Sequence, residues 1–232
     1  MPAATAVAKT DGRSRPRDTD RTRAEIMRAA LTVFAEKGLT GARIDEIAAL
    51  TQTTKPTIYY HFGSKEGLYA AVLEEAYGGI RDMERGLHLD MNDPASAMRA
   101  LVEGSFDYHA SNPEWVRLVS VENIHGARHI AGIESFGRRN APVLATLRAL
   151  LEAGARTGVF RAGVNPVDLH WMISSLCFYR VSNRHTWQVN FGVDLADAWH
   201  TAAQRCMAVE AILRFLAPAL AERKASKSEV LF

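Results

Sequence analysis

A short stretch between positions 55 and 65 concentrates side chains that suit contacts with nucleic acid. Lys55 and Lys65 carry the positive charge that neutralises backbone phosphates. Tyr59, Tyr60 and His61 add hydrogen-bonding groups to flat rings. Phosphate contacts position a protein on a duplex, and contacts with base edges select the sequence. The residue types therefore predict a surface that binds double-stranded DNA.

This surface is predicted to be one side of a short helix. Thr54 suits the N-cap, because its hydroxyl can accept a hydrogen bond from a free backbone N–H of the first turn. Pro56 follows in that turn, where its missing N–H costs nothing. Ile58 and Phe62 lie one turn apart and point inward, which leaves the polar and aromatic residues facing outward.

A second short helix is predicted just before it. Ile44, Ile47 and Ala48 recur at helical spacing and form one apolar stripe. Residues 51–53, Thr-Gln-Thr, leave room only for a sharp corner between the two helices. Two short helices joined in this way predict a helix-turn-helix.

The run KPTIYYHFGSKEGL, with the amphipathic helix before it, resembles the N-terminal domain of the tetracycline-repressor (TetR) family of bacterial transcriptional regulators. The resemblance extends from Thr22 to roughly Tyr69, and residue types, spacing and the preceding helix all agree. It implies that Lys55, Pro56 and Tyr59 approach bases. It also implies that three residues hold phosphates: Tyr60, His61 and Lys65. The predicted DNA-binding residues are Arg43, Thr53, Thr54, Lys55, Pro56, Thr57, Tyr59, Tyr60, His61 and Lys65.

Two positions depart from the family pattern. The corner usually reads small-Gly-Val, so Thr51-Gln52-Thr53 lacks both a core valine and a glycine that would take a positive φ cheaply. The threonine that often opens the first helix of the motif is replaced by Ala42-Arg43. Both departures bear on the geometry of the turn.

The N-terminal region divides into a basic arm and a first helix. Residues 1–19 have almost nothing to bury, so we expect disorder there. Their arginines suit an arm in a neighbouring minor groove, and an ordinary solvated tail explains them equally well. A capping box at Thr22–Glu25 is predicted to open a helix that ends at Gly38. That helix supplies the apolar floor for the two-helix motif.

The remainder of the chain has helical periodicity and no sustained alternation, so the predicted fold class is all-α. Ser64 is expected to cap a long helix to about Leu87 that links the DNA-binding part to the body. Further helices are predicted at 94–110, 113–125, 138–157, 166–186 and 195–217, with 126–137 unassigned. The predicted domains are a disordered basic arm at 1–19, a helix-turn-helix domain at 20–66, a helical effector-binding and dimerisation domain at 67–220, and a flexible tail at 221–232.

The last predicted helix carries apolar residues at alternating spacings of four and three. This spacing keeps one seam facing a partner helix. Together with the family resemblance, it suggests a four-helix bundle formed with a second copy, and a central core helix of a monomer is the alternative. The seam consists of Leu195, Trp199, Ala202, Cys206, Val209, Leu213 and Leu216.

Aromatic side chains and hydroxyls share helix faces in the body, as in cavities that bind small organic molecules. Ordinary core and dimer contacts would explain each aromatic residue taken singly, whereas the family resemblance implies an effector cavity somewhere in the body. The C-terminal body is weakly similar to the RutR branch, which assigns no ligand. The candidate ligand-binding residues are Phe106, Trp115, Glu122, Trp171, Ser175, Phe178 and Tyr179.

One polar cluster has the spacing of metal ligands. Glu122, His125 and His129 could share a helical face and hold zinc or iron. Gly126 interrupts the segment, so a hydrogen-bonded network or a ligand contact is favoured over a metal. Arg128 suits an anionic effector or the solvated surface.

Length, composition and motifs bound the function. The chain has 232 residues, 47% hydrophobic residues and a net charge of +2, so nucleic-acid binding must be local. Cys177 and Cys206 suit reduced core positions in a cytoplasmic protein, and neither a membrane span nor a secretory signal is predicted. Because no catalytic motif or cofactor-binding loop is recognisable, we expect neither enzymatic activity nor a cofactor.

The sequence thus predicts a dimeric, ligand-responsive transcriptional regulator, most simply a repressor of a near-palindromic operator. The competing class is a helical small-molecule-binding protein or enzyme whose helix-turn-helix serves another partner. The effector, the operator, the regulated genes and the choice between repressor and activator are left undetermined by the sequence.

Overall fold

The structure is a computed structural model that describes residues 14–133 and 135–218. These residues form α-helices joined by turns and contain no strand, which confirms the all-α prediction. The helices are α1 Ser14–Gly41, α2 Ile44–Thr51, α3 Lys55–Phe62, α4 Lys65–Gly86, α5 Pro94–Ser111, α6 Pro113–Ile124, α7 Ser135–Arg156, α8 Pro166–Ser182, α9 Arg184–Phe191 and α10 Ala198–Leu216. Within the described part, none of them is long and apolar enough to cross a membrane.

The chain divides into two compact units, Met1–Val72 and Leu73–Phe232, so the division falls inside α4. The sequence placed the domain boundary at 66–67, where that helix begins. As predicted, Ser64 caps α4, since its Oγ accepts a hydrogen bond from the backbone N–H of Gly67 at 2.9 Å.

The first unit is built on α1, whose start differs from the prediction. The helix begins at Ser14, within the segment where the sequence predicted disorder, and residues 1–13 lie outside the described part. Thr22 and Glu25 consequently lie inside the helix and form no capping box. Glu25 instead pairs with Arg21 one turn earlier, at 2.9 Å, which favours helix over cap. The predicted end at Gly38 is observed as a break with φ 64°.

The core of the first unit consists of apolar residues from four helices. Ile26 and Phe34 of α1 are fully buried, as are Ile47 of α2 and Ile58 of α3. The rings of Phe34 and of Tyr69 on α4 form a T-shaped pair, with centroids 4.9 Å apart. The sequence predicted that α1 forms the floor of the two-helix motif, and the buried stripe agrees.

The second unit has its core between α5, α7, α8 and α10. Met98, Leu147, Leu169, Cys177 and Ile212 are fully buried there. Asp93 and Asn165 cap α5 and α8 through their side chains, as predicted, at 3.1 and 2.8 Å. By contrast, the side chain of Asn112 does not cap α6 and donates to the Tyr108 carbonyl at 2.8 Å.

Two predicted helix boundaries in this unit are wrong. The helix predicted at 166–186 ends at Ser182, and a separate α9 follows Asn183. Part of the unassigned segment 126–137 belongs to α7, which begins at Ser135.

Candidate DNA interface and ligand cavity

The corner between α2 and α3 is held by threonine hydroxyls. Thr51 Oγ1 donates to the Ile47 carbonyl at 3.0 Å and lies 2.7 Å from Thr53 Oγ1. Gln52 takes the left-handed conformation, with φ 54°, at the position where a glycine would do so cheaply. A left-handed non-glycine residue costs about 1 kcal/mol, which the hydroxyl network can offset. The corner therefore forms without the glycine and valine of the family pattern.

The helix after the corner, α3, is anchored by one side and exposed on the other. Thr54 caps it by accepting from the Thr57 backbone N–H at 3.4 Å, as predicted. Ile58 is completely buried, whereas Tyr59 is 43% exposed and Tyr60 is 82% exposed. A tyrosine this open to solvent on a short, capped helix is placed to meet a partner.

The predicted DNA-binding residues fall into two sets by exposure. Six are exposed: Arg43, Thr54, Lys55, Pro56, Tyr59 and Tyr60. Four are half-buried: Thr53, Thr57, His61 and Lys65. All ten lie within the first unit.

Two lysines of this set already have protein partners. Lys55 Nζ lies 2.8 Å from Asp45 Oδ1 on α2, a carboxylate that the sequence reasoning missed. Lys65 Nζ donates to the Ala42 carbonyl at 3.1 Å and so ties the start of α4 to the residue before Arg43. An ammonium has three donors, so each lysine retains donors for a phosphate.

The second unit contains a cavity of about 650 Å³, within the size range of small-molecule sites. Residues of α4, α5, α6, α7 and α8 line it. The apolar and aromatic part of the wall comprises Tyr77, Ile80, Trp115, Val119, Val143, Leu144, Trp171 and Phe178. The polar part comprises Arg81, His109, Asn123, His170, Ser174 and Ser175.

The structure brings together four of the seven predicted ligand-binding residues. Trp115, Trp171, Ser175 and Phe178 line the cavity, and three others do not: Phe106, Glu122 and Tyr179. The Phe106 ring is buried under the Arg180 guanidinium, 4.7 Å from its centroid.

The cavity residues on α4 were missed by the sequence reasoning. Tyr77, Ile80 and Arg81 recur at helical spacing, i, i+3 and i+4, which places them on one face. An arginine on an otherwise apolar helix face was the sequence feature that could have pointed to a ligand-binding surface here. His109 also lines the cavity and was not among the candidate ligand-binding residues.

Glu122 holds a turn in place and is not among the residues that line the cavity. Its Oε1 accepts from the backbone N–H groups of His129 and Ile130 at 2.8 and 3.2 Å, and its Oε2 lies 2.8 Å from His129 Nδ1. This is the hydrogen-bonded network that the sequence favoured over a metal. Among the described residues, no group of His, Cys, Asp and Glu side chains is arranged to hold a metal ion.

Burial controls the protonation of the groups in and around the cavity. Burial lowers the pKa of His109 to about 4, although a 2.6 Å hydrogen bond to the Ser105 carbonyl acts in the opposite direction. Burial also lowers the pKa of His170, and the charge of Arg81 adds to that effect. The pKa of Tyr77 is raised to about 12, by burial and then by the charge of Glu122. These groups are therefore neutral at pH 7.

The predicted seam on α10 is divided between the core and the surface. Leu195, Val209 and Leu216 are buried in the core of their own chain and present almost no surface to a second copy. Leu213 is half-buried against the same core. The remaining three are exposed: Trp199, at 73%, with Ala202 and Cys206. Met207 beside them is 64% exposed.

A capped helix-turn-helix in one unit and a ligand-sized cavity in the other define a class, the ligand-binding helix-turn-helix regulators. Residues 26–72 match the family described as "Bacterial regulatory proteins, tetR family". Residues 94–212 match the "Tetracyclin repressor-like, C-terminal domain". The chain belongs to the TetR family and is a DNA-binding transcriptional regulator, as the sequence predicted.

Individual relatives agree with this assignment. The chain is 39% identical over 183 residues to the HTH-type transcriptional repressor NicS of Pseudomonas putida, covering 79% of this chain and 86% of NicS. It is 30% identical over 119 residues to the HTH-type transcriptional regulator RutR of Escherichia coli, covering 51% of this chain and 55% of RutR. A bacterial regulatory protein in the tetR family from Rhodococcus RHA1 has the same fold, with a TM-score of 0.65 and 24% identity over 86% of this chain and 98% of that one.

Proposed function

We propose that this regulator is a dimeric, cytoplasmic repressor without enzymatic activity, which binds a near-palindromic operator and is released by a small organic effector. The observation that carries the proposal is the exposed face of α3. Tyr60 is 82% exposed on a helix whose other side is anchored by fully buried Ile58. Similarity to the repressor NicS, over most of both chains, favours repression over activation.

Within the proposed interface, Lys55 and Tyr59 read base edges while Tyr60, His61 and Lys65 bind phosphates. Lys55 reaches DNA by leaving Asp45, because an exposed ion pair contributes at most about 1 kcal/mol. The hydrogen bond from Lys65 to the Ala42 carbonyl gives Lys65 a second role in the shape of the motif. Truncating Lys65 would therefore alter both the charge and the fold of the interface.

A second copy of the chain is the proposed partner of the exposed apolar residues on α8 and α10. Trp171 and Trp199 are 71% and 73% exposed, which is unusual for tryptophan in a monomer. Together with Ala202, Cys206 and Met207, they form the proposed dimer contact. The predicted seam residues that are buried in the core take no part in it. A two-fold dimer places the recognition helices about one DNA turn apart, about 34–36 Å, or somewhat more on a long or underwound operator.

The cavity is the proposed effector site, and α4 is the proposed link to DNA binding. The helix that supplies Tyr77, Ile80 and Arg81 to the cavity wall begins at Lys65. An effector weakens DNA binding only if it binds more tightly to a conformation of the protein that has low affinity for DNA. Coupling of about 1–3 kcal/mol is usual, and operator DNA must weaken the effector by the same factor.

DNA binding measured at several salt concentrations tests the proposal. The protein should bind a fragment from beside its own gene, and the logarithm of affinity should fall linearly with the logarithm of salt concentration. Light scattering should give twice the mass of one chain. A monomer that binds no DNA fragment would instead support the competing class, a helical small-molecule-binding protein or enzyme.

A further inference from the structure

Three buried side-chain nitrogens, which belong to two residues that line the cavity, make no hydrogen bond within the protein. They are Nε and Nη1 of Arg81 on α4 and Nε1 of Trp115 on α6. Both side chains are more than nine-tenths buried, at 6% exposure each, and both line the cavity. Buried donors are nearly always paired, so orphaned donors around a ligand-sized space indicate that a ligand supplies the acceptor.

Arg81 has a nearby carboxylate, which satisfies it only in part. Its Nη1 lies 2.8 Å from Glu84 Oε2 but does not make a hydrogen bond with it. Burial raises the pKa of Glu84 to about 7, and the charge of Arg81 only partly opposes that rise. Near neutral pH Glu84 is therefore only partly ionised, so it neutralises the guanidinium charge of Arg81 only in part.

The wall of the cavity accordingly carries one charge. Among its lining residues Arg81 is a cation, His109 and His170 are neutral, and no carboxylate is present. In a partly dehydrated space a cation attracts an anion more strongly than it would in water. A hydrogen bond from a guanidinium to a carboxylate is also charge-assisted, and it is about twice as strong as one between neutral groups.

The rest of the wall suits a flat apolar body. Trp115 stands edge-on to the rings of Tyr77 and His109, with centroids 6.0 and 4.7 Å away. Phe178 and Trp171 add two further aromatic surfaces from α8. Aromatic rings prefer edge-to-face or offset contacts with one another, so a planar ring system is the favoured occupant.

We propose that the cavity binds an aromatic carboxylate, whose carboxylate accepts hydrogen bonds from Arg81 and from the Trp115 indole N–H. This inference rests on the proposed function, because it names the ligand class of the proposed effector site. It assigns the specificity for the anion to Arg81 and the orientation of the carboxylate to Trp115.

Calorimetric titration of the full chain with matched probes tests the assignment. The probes are benzoate and 2-naphthoate, with benzamide and 2-naphthamide as neutral counterparts of similar shape. At least one carboxylate should bind about tenfold or more tightly than its amide, the usual scale of a charge-assisted hydrogen bond. Equal affinity of acid and amide, or no binding of any probe, would overturn the inference.

Three variants distinguish the proposed contacts of Arg81 and Trp115 with the carboxylate from general effects of charge. Arg81→Gln should abolish the preference for the acid, and Trp115→Phe should weaken the acid several-fold more than the amide while preserving the ring. Arg117→Gln, an exposed arginine on α6 away from the cavity wall, should leave both affinities unchanged. If Arg81→Gln is misfolded by circular dichroism, Trp115→Phe alone decides. A Trp115→Phe protein with an unchanged ratio of acid to amide affinity would refute the assignment.

Different results would refute this inference and the proposed function. A carboxylate that binds but leaves DNA affinity unchanged would support the ligand class and refute the effector role of the cavity. An amide that binds as well as the acid and releases DNA would refute the ligand class and support the effector role.

Discussion

Replacing Gly154 with alanine should destabilise the second unit, although alanine normally stabilises a helix. An ideal Cβ at Gly154 of α7 would lie 1.9 Å from Cδ2 and 2.4 Å from Cγ of the Phe160 ring. Carbon atoms pack at about 3.5–4.0 Å, so the ring would have to move by more than about 1 Å. It is not free to do so, because Phe160 is 3% exposed and its backbone N–H donates to the Gly154 carbonyl at 3.0 Å.

The expected cost follows from two opposing contributions. Overpacking a core lowers the free energy of unfolding by about 1–3 kcal/mol, and exchanging glycine for alanine in a helix raises it by about 1 kcal/mol. The net loss should therefore be up to about 2 kcal/mol. Gly137→Ala on the same helix is the matched control, because an added Cβ there meets nothing within 4 Å. That variant should be neutral or slightly more stable.

Urea denaturation followed by tryptophan fluorescence measures this difference. All four tryptophans lie after position 72, so the signal reports the second unit. The midpoint of Gly154→Ala should fall below that of Gly137→Ala with an unchanged slope. A Gly154→Ala protein at least as stable as the control would show that the Phe160 ring relaxes freely, and would refute the reasoning.

Three further predictions concern the interface, the dimer and pH. Asp45→Asn should raise DNA affinity by about two- to tenfold, because it frees Lys55 and removes a negative charge. Fluorescence anisotropy measures this affinity, and an unchanged value would exclude Lys55 from the interface. Trp199→Glu should shift light scattering toward a monomer, and an intact dimer would exclude that surface. His109→Gln should be compared with the unmodified protein by urea denaturation between pH 7 and pH 4. Because the pKa of His109 is lowered to about 4, the unfolded chain binds its proton first, and stability is lost as pH falls from about 6.5. The variant should therefore gain relative stability toward pH 4, by up to about 3 kcal/mol, and a constant difference would contradict the buried neutral ring.

The DNA-binding part was largely predictable, because its signals are local. The Thr54 cap, the buried Ile58 and the exposed tyrosines all follow from spacing within a single short helix. Thr22–Glu25 failed as a start signal because the arginine-rich residues before it continue the helix. A capping motif shows where a helix can begin. Ion pairs with side chains one turn earlier can extend the helix past that point.

The seam on α10 was only partly predictable from its spacing. Trp199 and Cys206 are exposed at one end, while Val209 and Leu216 are buried at the other. Spacing within a helix shows which residues share a face, but the elements packed against each part of the helix decide which of them are covered. Leu195 precedes the helix, so its burial follows from the loop.

The cavity was only partly predictable, because five helices build its wall. Composition identified Trp115 and Phe178 as candidates, since both are aromatic residues in a helical body. It did not reveal that Phe106 packs under Arg180, or that Arg81 meets the same space as Trp115. Such meetings depend on packing between helices distant in the sequence, which periodicity within one helix does not encode.

The affinity of two tyrosine variants for DNA tests the central claim, that the exposed face of α3 binds DNA, most directly. Tyr60→Ala removes an 82% exposed ring from α3, and Tyr179→Ala removes a 54% exposed ring from α8 in the other unit. Anisotropy titration with one promoter fragment at fixed salt should show about tenfold or greater weakening for Tyr60→Ala, if its phosphate contact is lost. Tyr179→Ala should bind like the unmodified protein. Equal affinities for the two variants and the unmodified protein would contradict the account.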